Sequence, residues 1–207
     1  MIGGAHPGDV DRSGRTQRDD VLTIHRLCKP GVFDNVSFTA KRGEILGLAG
    51  LLGSHRSDIV KALIGLDRAH SGTVRFKGNE VVYRSIREAM LDGIGYVPED
   101  RKSEGLFLSY PRGANLVACS LDKHTKAGVV SARSVRNASR KAICAFSVKT
   151  QGSEEIVSTL SGGNQQKILL AKWLERNPEL LIIEEPTKGV DVGAKFQIHT
   201  ELSLIHI

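Results

Sequence analysis

Aromatic residues and cysteines are scarce in this 207-residue chain, and it has no long apolar run. With one Trp and three Tyr, the core must be built mainly from Leu, Ile, Val and Ala. The three cysteines, Cys28, Cys119 and Cys144, form no Cys-x-x-Cys pair, so neither a zinc site nor a disulfide framework is indicated. Reduced thiols, and the lack of a run of roughly 20 apolar residues, favour a cytoplasmic protein whose partner would span any membrane it serves.

A block of like charge is also missing. Lys and Arg number 29 against 23 Asp and Glu, which gives a net charge of +6. Because the basic residues are scattered, the charge favours an ordinary solvated surface, and no nucleic-acid partner is expected. Residues 1–20 are polar and lack the apolar stretch of a signal peptide, which predicts a flexible linker before a domain over residues 21–201.

The chain does contain short apolar segments that alternate with segments of helical spacing. Strands are predicted near residues 21–24, 36–38, 45–49, 74–76, 81–83, 94–97 and 180–183. Helices are predicted over residues 58–64, 86–91 and 165–176, with a helical subdomain over about 113–158. This alternation predicts an α/β fold with a mostly parallel central sheet, a small antiparallel β portion and an inserted helical subdomain.

The segment Leu160–Lys167 places a Ser and two glycines directly before a predicted helix. Glycine lets the backbone approach a ligand closely, and the free N–H groups of a helix N-terminus attract phosphate. Ser161, Gly162 and Gly163 are therefore candidate phosphate-binding residues. Taken alone, the segment fits a plain Ser N-cap followed by flexible glycines equally well.

A second segment, Leu180–Thr187, is an apolar strand that ends in two carboxylates. Strands of a parallel sheet can deliver such groups to a Mg–phosphate site at their carboxyl ends. Glu184 is then a candidate metal ligand, and Glu185 a candidate for polarising an attacking water. In isolation, a Glu-Glu pair at a strand end is more often two surface acids.

Together and in this order, the two segments resemble the ABC ATPase family. Residues 160–166 resemble its signature motif, Glu184–Thr187 the end of its Walker B motif, and Gly189–Asp191 its D-loop. The runs Lys188–Lys195 and Tyr96–Lys102 narrow the resemblance further. They are similar to the second, C-terminal nucleotide-binding domain of the ATPases that power import of ribose, galactose and xylose.

The resemblance implies a P-loop NTPase-type cassette that binds ATP and Mg²⁺. Glu185 would be the catalytic residue, and Ser57 and Glu184 would hold the metal. The residues implied at the nucleotide, besides the signature, are Gln165 and Asp191. The implied partners are a first ABC domain of the same full-length protein, a transmembrane sugar permease and, indirectly, a periplasmic sugar-binding protein. The implied location is the cytoplasmic, inner face of the cell membrane.

The phosphate loop of that family aligns with Gly50–Ser57 of this chain. His55 and Arg56 replace the usual Gly and Lys, whereas the first Gly and the final Ser are kept. A Cβ at position 55 hinders close approach of the backbone to phosphate, and the planar guanidinium is not a compact ammonium. The loop residues implied at the cofactor are Gly50, Gly53, Ser54, His55, Arg56 and Ser57. Because Glu184 also stands where the family has Asp, the domain's own ATP site is expected to be weakened.

In this family each ATP lies between the phosphate loop of one domain and the signature of the other. The intact signature of this chain is therefore expected to complete a site whose phosphate loop lies on a first domain. The predicted function is to couple ATP binding and hydrolysis to import of a simple sugar. One alternative is a catalytically degraded module that only donates its signature, and another, disfavoured by the scattered basic residues, is an ABC ATPase acting on ribosomes or DNA.

The resemblance fades near Thr200–Glu201. Residues 202–207 are expected to be a non-native tail, and the C-terminal part of the cassette is expected to be missing. Since a sheet without its outer strands exposes an apolar edge, the isolated chain is expected to be poorly soluble.

Overall fold

The computed structural model describes three stretches of the chain, residues 19–51, 53–148 and 154–205. They form two compact units. The first unit runs to Tyr83 and takes in the end of the last helix from Leu202, and the second spans Arg84–Glu201. The sequence predicted one domain with an inserted subdomain and did not indicate this division. The predicted linker lies almost wholly outside the described residues.

The first unit is built on an antiparallel sheet of four strands in the order β2-β1-β3-β4. The strands are β1 (Asp20–Lys29), β2 (Phe33–Lys41), β3 (Ser71–Phe76) and β4 (Asn79–Glu80). Leu22, Ile24 and Leu27 of β1 are buried together with Phe76 of β3. These apolar side chains form the core of the sheet.

The turn between β3 and β4 is determined by two residues with positive φ. Lys77 has φ 52° and Gly78 has φ 79°, as a type I′ hairpin turn requires. The predicted turn at Gly78-Asn79 is thus confirmed to within one residue. The predicted strand over 81–83 is wrong, because β4 ends at Glu80.

The apolar run Ile45–Ala49, predicted as a buried strand, is a second error. It forms no strand, and Ile45 is 65% exposed and Leu48 41% exposed. A strand needs a neighbour to satisfy its backbone N–H and C=O groups, and no strand within the described residues pairs with this run. Helix α1 (Arg56–Leu63) follows the run and largely matches the predicted helix over 58–64.

The second unit contains a parallel pair of strands, β5 (Ile94–Val97) and β8 (Leu180–Ile183). Ile94 pairs with Leu180, and the register runs without interruption to the last pair, Val97 with Ile183. All four residues of β5 are buried, which explains their continuous apolar character. Both strands confirm their predictions, although parallel pairing in the described residues is confined to these two strands rather than to a larger sheet.

Helices lie before, between and after these two strands along the chain. They are α2 (Ile86–Leu91), α3 (Arg112–Val117), α4 (Ala132–Ala145), α5 (Gly162–Leu174) and α6 (Val192–Ile205). Helix α5 packs against β5 and α3, and α3 packs against α4. A short hairpin of β6 (Thr125–Lys126) and β7 (Val129–Val130) precedes α4. Helices α2 and α5 match their predictions, and α3 and α4 lie within the predicted helical subdomain, whose residues 149–153 are outside the described part.

Helix α6 was not predicted. It continues to Ile205, across most of the segment expected to be a non-native tail. Within the described stretches, no helix is long and apolar enough to cross a membrane.

Candidate functional site

The loop aligned with the family's phosphate loop lies in the first unit and leads into α1. Gly50 is tightly enclosed, because a Cβ built there would lie 2.3 Å from Ser54 Oγ. Gly53 has φ 83°, a conformation that side chains rarely adopt. The Ser54 N–H donates to Leu51 O at 3.0 Å and forms a turn. Both glycines are therefore required by the shape of the loop.

His55 directly precedes α1 and has φ 58°, in the left-handed region. Glycine adopts this conformation without strain, whereas histidine does so at a cost. Its Nδ1 lies 2.8 Å from Asp58 Oδ2. The Arg56 guanidinium donates from Nη1 to Gly50 O at 3.0 Å. The backbone at His55 therefore has a conformation that suits the glycine of the family's loop. The side chains of His55 and Arg56 contact Asp58 and the Gly50 carbonyl.

The signature-like residues lie at the N-terminus of α5 in the second unit. Ser161 is exposed, and its Oγ accepts from Asn164 N at 3.4 Å and from Asn164 Nδ2 at 3.1 Å. The helix begins at Gly162, so the first N–H groups of α5, on Gly162 and Gly163, have no acceptor within the helix. This arrangement combines the predicted Ser N-cap with a helix N-terminus of the kind that binds anions.

The two glycines also have a packing role. A Cβ on Gly162 would lie 2.9 Å from Gly189 O and 2.9 Å from Arg101 Nη2. A Cβ on Gly163 would lie 2.6 Å from the Cβ of Ala194. The segment that resembles the D-loop and the start of α6 are therefore packed directly against the first turn of α5.

Two carboxylates follow β8, as predicted. Glu184 N donates to Val97 O at 2.9 Å and so extends the pairing of β8 with β5 by one residue. Burial, and then the charge of Glu184, raise the pKa of Tyr96 above its ordinary value. Tyr96 therefore remains a neutral phenol beside Glu184 at neutral pH.

Glu185 differs from its neighbour in backbone and exposure. It is exposed and has φ 43°, an uncommon conformation for a residue with a side chain. Its carbonyl accepts from Lys188 N at 3.0 Å, which closes a turn. Strained residues of this kind cluster at functional sites, where the surrounding structure holds them.

The side chains of Asp191 and Gln165 form hydrogen bonds with backbone groups near the two ends of the signature region. Asp191 Oδ1 accepts from Ala194 N at 2.8 Å and caps the start of α6. Gln165 is buried, and its Nε2 donates to Val157 O at 3.1 Å and Leu160 O at 3.2 Å. The Gln165 side chain, predicted at the nucleotide, thus points into the unit and supports the backbone before the signature.

The predicted site residues fall into two groups. The six loop residues belong to the first unit, and the signature, the two carboxylates and Asp191 belong to the second. An open depression of about 650 Å³ lined by His25, Arg26, Cys28 and neighbouring residues contains none of them. No cluster of three or more His, Cys, Asp or Glu able to hold a metal occurs among residues 19–51, 53–148 and 154–205.

Sequence reasoning missed Arg101, which bridges parts of the second group. It lies on a π-helix, Arg101–Gly105, directly after the Tyr96–Asp100 stretch. Its Nη1 donates to Lys188 O at 2.6 Å, and its Nη2 donates to Gly189 O at 3.0 Å. The run Tyr96–Lys102 was noticed only as a mark of family resemblance, and no sequence pattern indicates a bond across 87 residues.

Comparison with known proteins relates these features to a family. The model of the ABC transporter family matches residues 33–188. A putative ribose/galactose/methyl galactoside import ATP-binding protein of Rhizobium etli is 45% identical over 181 residues, covering 87% of this chain and 34% of that protein. The ribose import ATP-binding protein RbsA of Bacillus cereus is 43% identical over 182 residues, covering 88% and 37%. The chain spans about a third of the length of these relatives.

Solved structures agree on the fold. A nucleotide-free ATP-binding cassette from an ABC transporter superposes with a TM-score of 0.77 at 18% identity, covering 91% of this chain and 78% of that one. A cassette in its ADP conformation gives a TM-score of 0.76 at 19% identity, with 91% and 77% covered. From the residues matched by the family model and from these relatives, the chain belongs to the ABC transporter family.

Proposed function

We propose that this chain is the second, C-terminal nucleotide-binding domain of a longer tandem ABC ATPase that drives import of a simple sugar. The observation that carries the proposal is the N-terminus of α5, with the exposed Ser161 as its cap and the Gly189–Asp191 segment packed against its first turn. The relatives' names support a sugar as the transported molecule. The alternative of a module that only donates its signature has no support in the comparisons.

Ser161, Gly162 and Gly163 present the binding groups for a phosphate. The Ser161 hydroxyl is on the surface, and the N–H groups of the first turn carry the positive end of the α5 dipole. In the proposed dimer of domains, these groups bind the γ-phosphate of an ATP held by the phosphate loop of the first domain. They then stabilise the negative charge that spreads over the transferred phosphoryl group.

Glu185 is proposed to orient the attacking water. It is exposed and follows β8 after one residue, and its backbone has the uncommon φ of 43°. Glu184 lies one residue earlier, in the polar surroundings that include Tyr96. Phosphoryl transfer requires one residue that binds the metal ion, here Glu184, and one that orients the attacking water, here Glu185.

Magnesium is proposed as the cofactor of ATP. Carboxylate and hydroxyl oxygens suit this ion, which keeps several waters and takes few protein ligands. Glu184 would supply such an oxygen, and the bound ion would neutralise charge on the phosphates.

The loop of this chain's own site is proposed to bind nucleotide more weakly than a standard phosphate loop. Gly50 and Gly53 keep the loop shape, and Ser54 forms its turn. His55 and Arg56 make contacts that phosphate would have to replace, with Asp58 and with a loop carbonyl. The domain therefore contributes most through its signature.

The proposed partners are a first ABC domain in the same polypeptide, a transmembrane sugar permease and a periplasmic sugar-binding protein that delivers the sugar. The proposed location is the inner face of the cell membrane. Sequencing of the coding DNA on both sides tests the tandem arrangement. An upstream cassette with a Gly-Lys-Ser or Gly-Lys-Thr loop in the same frame supports it, and an upstream stop codon directly before Met1 contradicts it.

The transport function is tested with the full-length protein and its permease in vesicles. ATP-dependent uptake is measured for labelled ribose, galactose and xylose, with an amino acid as the control solute. Uptake of one sugar that requires ATP supports the proposal. ATP hydrolysis that never moves any sugar, with the amino acid transported instead, contradicts it.

A further inference from the structure

The Arg101 guanidinium links two segments that the proposed function places at the ATP. Its Nη1 and Nη2 donate to the carbonyl oxygens of Lys188 and Gly189, at 2.6 Å and 3.0 Å. Its Nε donates to Gln165 Oε1 at 3.4 Å. One side chain therefore contacts the backbone that precedes Asp191 and the first turns of α5.

Glycines make room for this side chain. A Cβ at Gly162 would lie 2.9 Å from Arg101 Nη2, and a Cβ at Gly189 would lie 3.4 Å from both terminal nitrogens. Gly189 also has φ 65°, which a residue with a side chain rarely adopts. The planar guanidinium thus occupies space left by two glycines, each in one of the segments that it connects.

The backbone that carries Arg101 is itself anchored to α5. Gly105, at the end of the π-helix, lies against Leu169, since a Cβ there would be 2.9 Å from a Leu169 methyl. The buried Lys172 of α5 donates from Nζ to Gly105 O at 2.5 Å. At the start of the π-helix, Asp100 Oδ1 accepts from Lys102 N at 2.8 Å.

A second contact reinforces the link. Lys188 Nζ lies 2.5 Å from Glu99 Oε1, two residues before Arg101. This hydrogen bond raises the pKa of Lys188. Because the pair lies at the surface, with Lys188 57% and Glu99 40% exposed, it contributes little energy. Arg101, with donors to two carbonyls in a fixed fork, is the stronger constraint.

We propose that Arg101 is a positioning residue that holds the Lys188–Gly189 backbone against the first turn of α5. It thereby sets how Ser161 and Asp191 face the ATP between the two domains. This inference rests on the proposed function. Arg101 acts through the backbone of both segments and is not itself a catalytic residue.

The test compares Arg101→Gln, Arg101→Lys and the control Lys102→Gln in the full-length protein assembled with its permease. Lys102 is the adjacent exposed cation, so its replacement removes the same charge without the bridging contacts. Arg101→Gln is expected to lower kcat for ATP hydrolysis by about 10- to 100-fold, because small displacements of positioning groups cost that much. The KM for ATP is expected to change less than about twofold, since uniform binding is retained. Arg101→Lys, with a single donor nitrogen in place of the fork, is expected to have a kcat between those of Arg101→Gln and Lys102→Gln.

Hydrogen exchange of the backbone amides over residues 187–191 gives a readout that does not depend on turnover. Arg101→Gln is expected to speed exchange there by about 10-fold or more, and Lys102→Gln to leave it unchanged. Equal kcat in the Arg101 and Lys102 variants would overturn the inference. The inference would also be overturned if Arg101→Gln unfolded at the assay temperature, so that unfolding alone explained its lower kcat, and if Arg101→Lys restored no part of that kcat. If the wild-type protein hydrolyses no ATP, the proposed function fails and this inference fails with it.

Discussion

Replacing Ser161 with Arg tests the role given to the N-terminus of α5. Ser161 is exposed, so a long cationic side chain can extend into solvent from this position without entering the core. In the full-length protein, however, the position would face the γ-phosphate held by the other domain. We expect the substitution to abolish measurable turnover while leaving the fold intact.

The expected magnitudes follow from the contacts of Ser161. Its Oγ accepts one backbone N–H, that of Asn164, at a long 3.4 Å. Loss of such a cap costs about 1 kcal/mol, a small part of the roughly 5–15 kcal/mol that stabilises a typical domain. By contrast, loss of one donor that stabilises a transition-state oxyanion lowers kcat by about 100- to 1,000-fold, and the bulk of Arg adds a barrier to closure of the two domains.

The assay is steady-state ATP hydrolysis by the full-length protein with its permease, with thermal unfolding measured on the same preparations. Ser158→Arg is the matched control, because Ser158 is an exposed serine three residues earlier in the same segment. We expect the control to retain activity within about twofold, as is usual for surface substitutions. Equal activity of the two variants would refute the assignment of the signature, and so would a loss of activity explained by unfolding at the assay temperature.

Three further predictions address the rest of the chain. Arg56→Ala is expected to lower turnover of the tandem protein by less than Ser161→Arg does in the same assay, because its guanidinium bonds to a carbonyl of its own loop; the reverse ranking contradicts the account. In denaturant titrations, Gly163→Ala is expected to lower the free energy of unfolding by about 1–3 kcal/mol, since the new methyl meets the Cβ of Ala194 in α6 at 2.6 Å. The control Gly47→Ala is expected to be nearly neutral, because no atom lies within 4 Å of a Cβ at that position. Iodoacetamide labelling at pH 8, followed by mass spectrometry, is expected to modify the exposed Cys144 much faster than Cys119, because burial raises the pKa of the Cys119 thiol. Equal labelling rates would contradict the burial of Cys119.

Short sequence patterns predicted the helices and strands whose own residues specify them. Strands β5 and β8 are short continuous apolar runs and helix α5 ends before Asn177-Pro178, and the structure places all three within a few residues of the predicted bounds. The strand predicted at Ile45–Ala49 failed because strand formation depends on a partner that the run itself does not specify. Helix α6 was missed because its apolar residues are spread around the helix instead of recurring on one face, so the segment lacks the helical period.

The candidate site was predictable as residue types but not as contacts. The Ser-Gly-Gly segment and the two glutamates could be predicted because in each case the functional residues are adjacent in the sequence. The inward direction of the Gln165 amide and the positive φ of Glu185 depend on packing around them. The bond from Arg101 to Lys188 joins residues far apart in the chain, and no periodicity relates them.

The proposed function requires that the start of α5 touches the γ-phosphate of an ATP bound by another domain. Vanadate trapped with ADP takes the place of that phosphate, and ultraviolet irradiation then cleaves the backbone of residues in contact with it. In the full-length protein trapped during turnover, we expect cleavage at Ser161, detected by mass spectrometry, in addition to cleavage at the phosphate loop of the first domain. Cleavage at phosphate loops alone, with the Leu160–Gly163 backbone intact, would contradict a contact between α5 and the γ-phosphate.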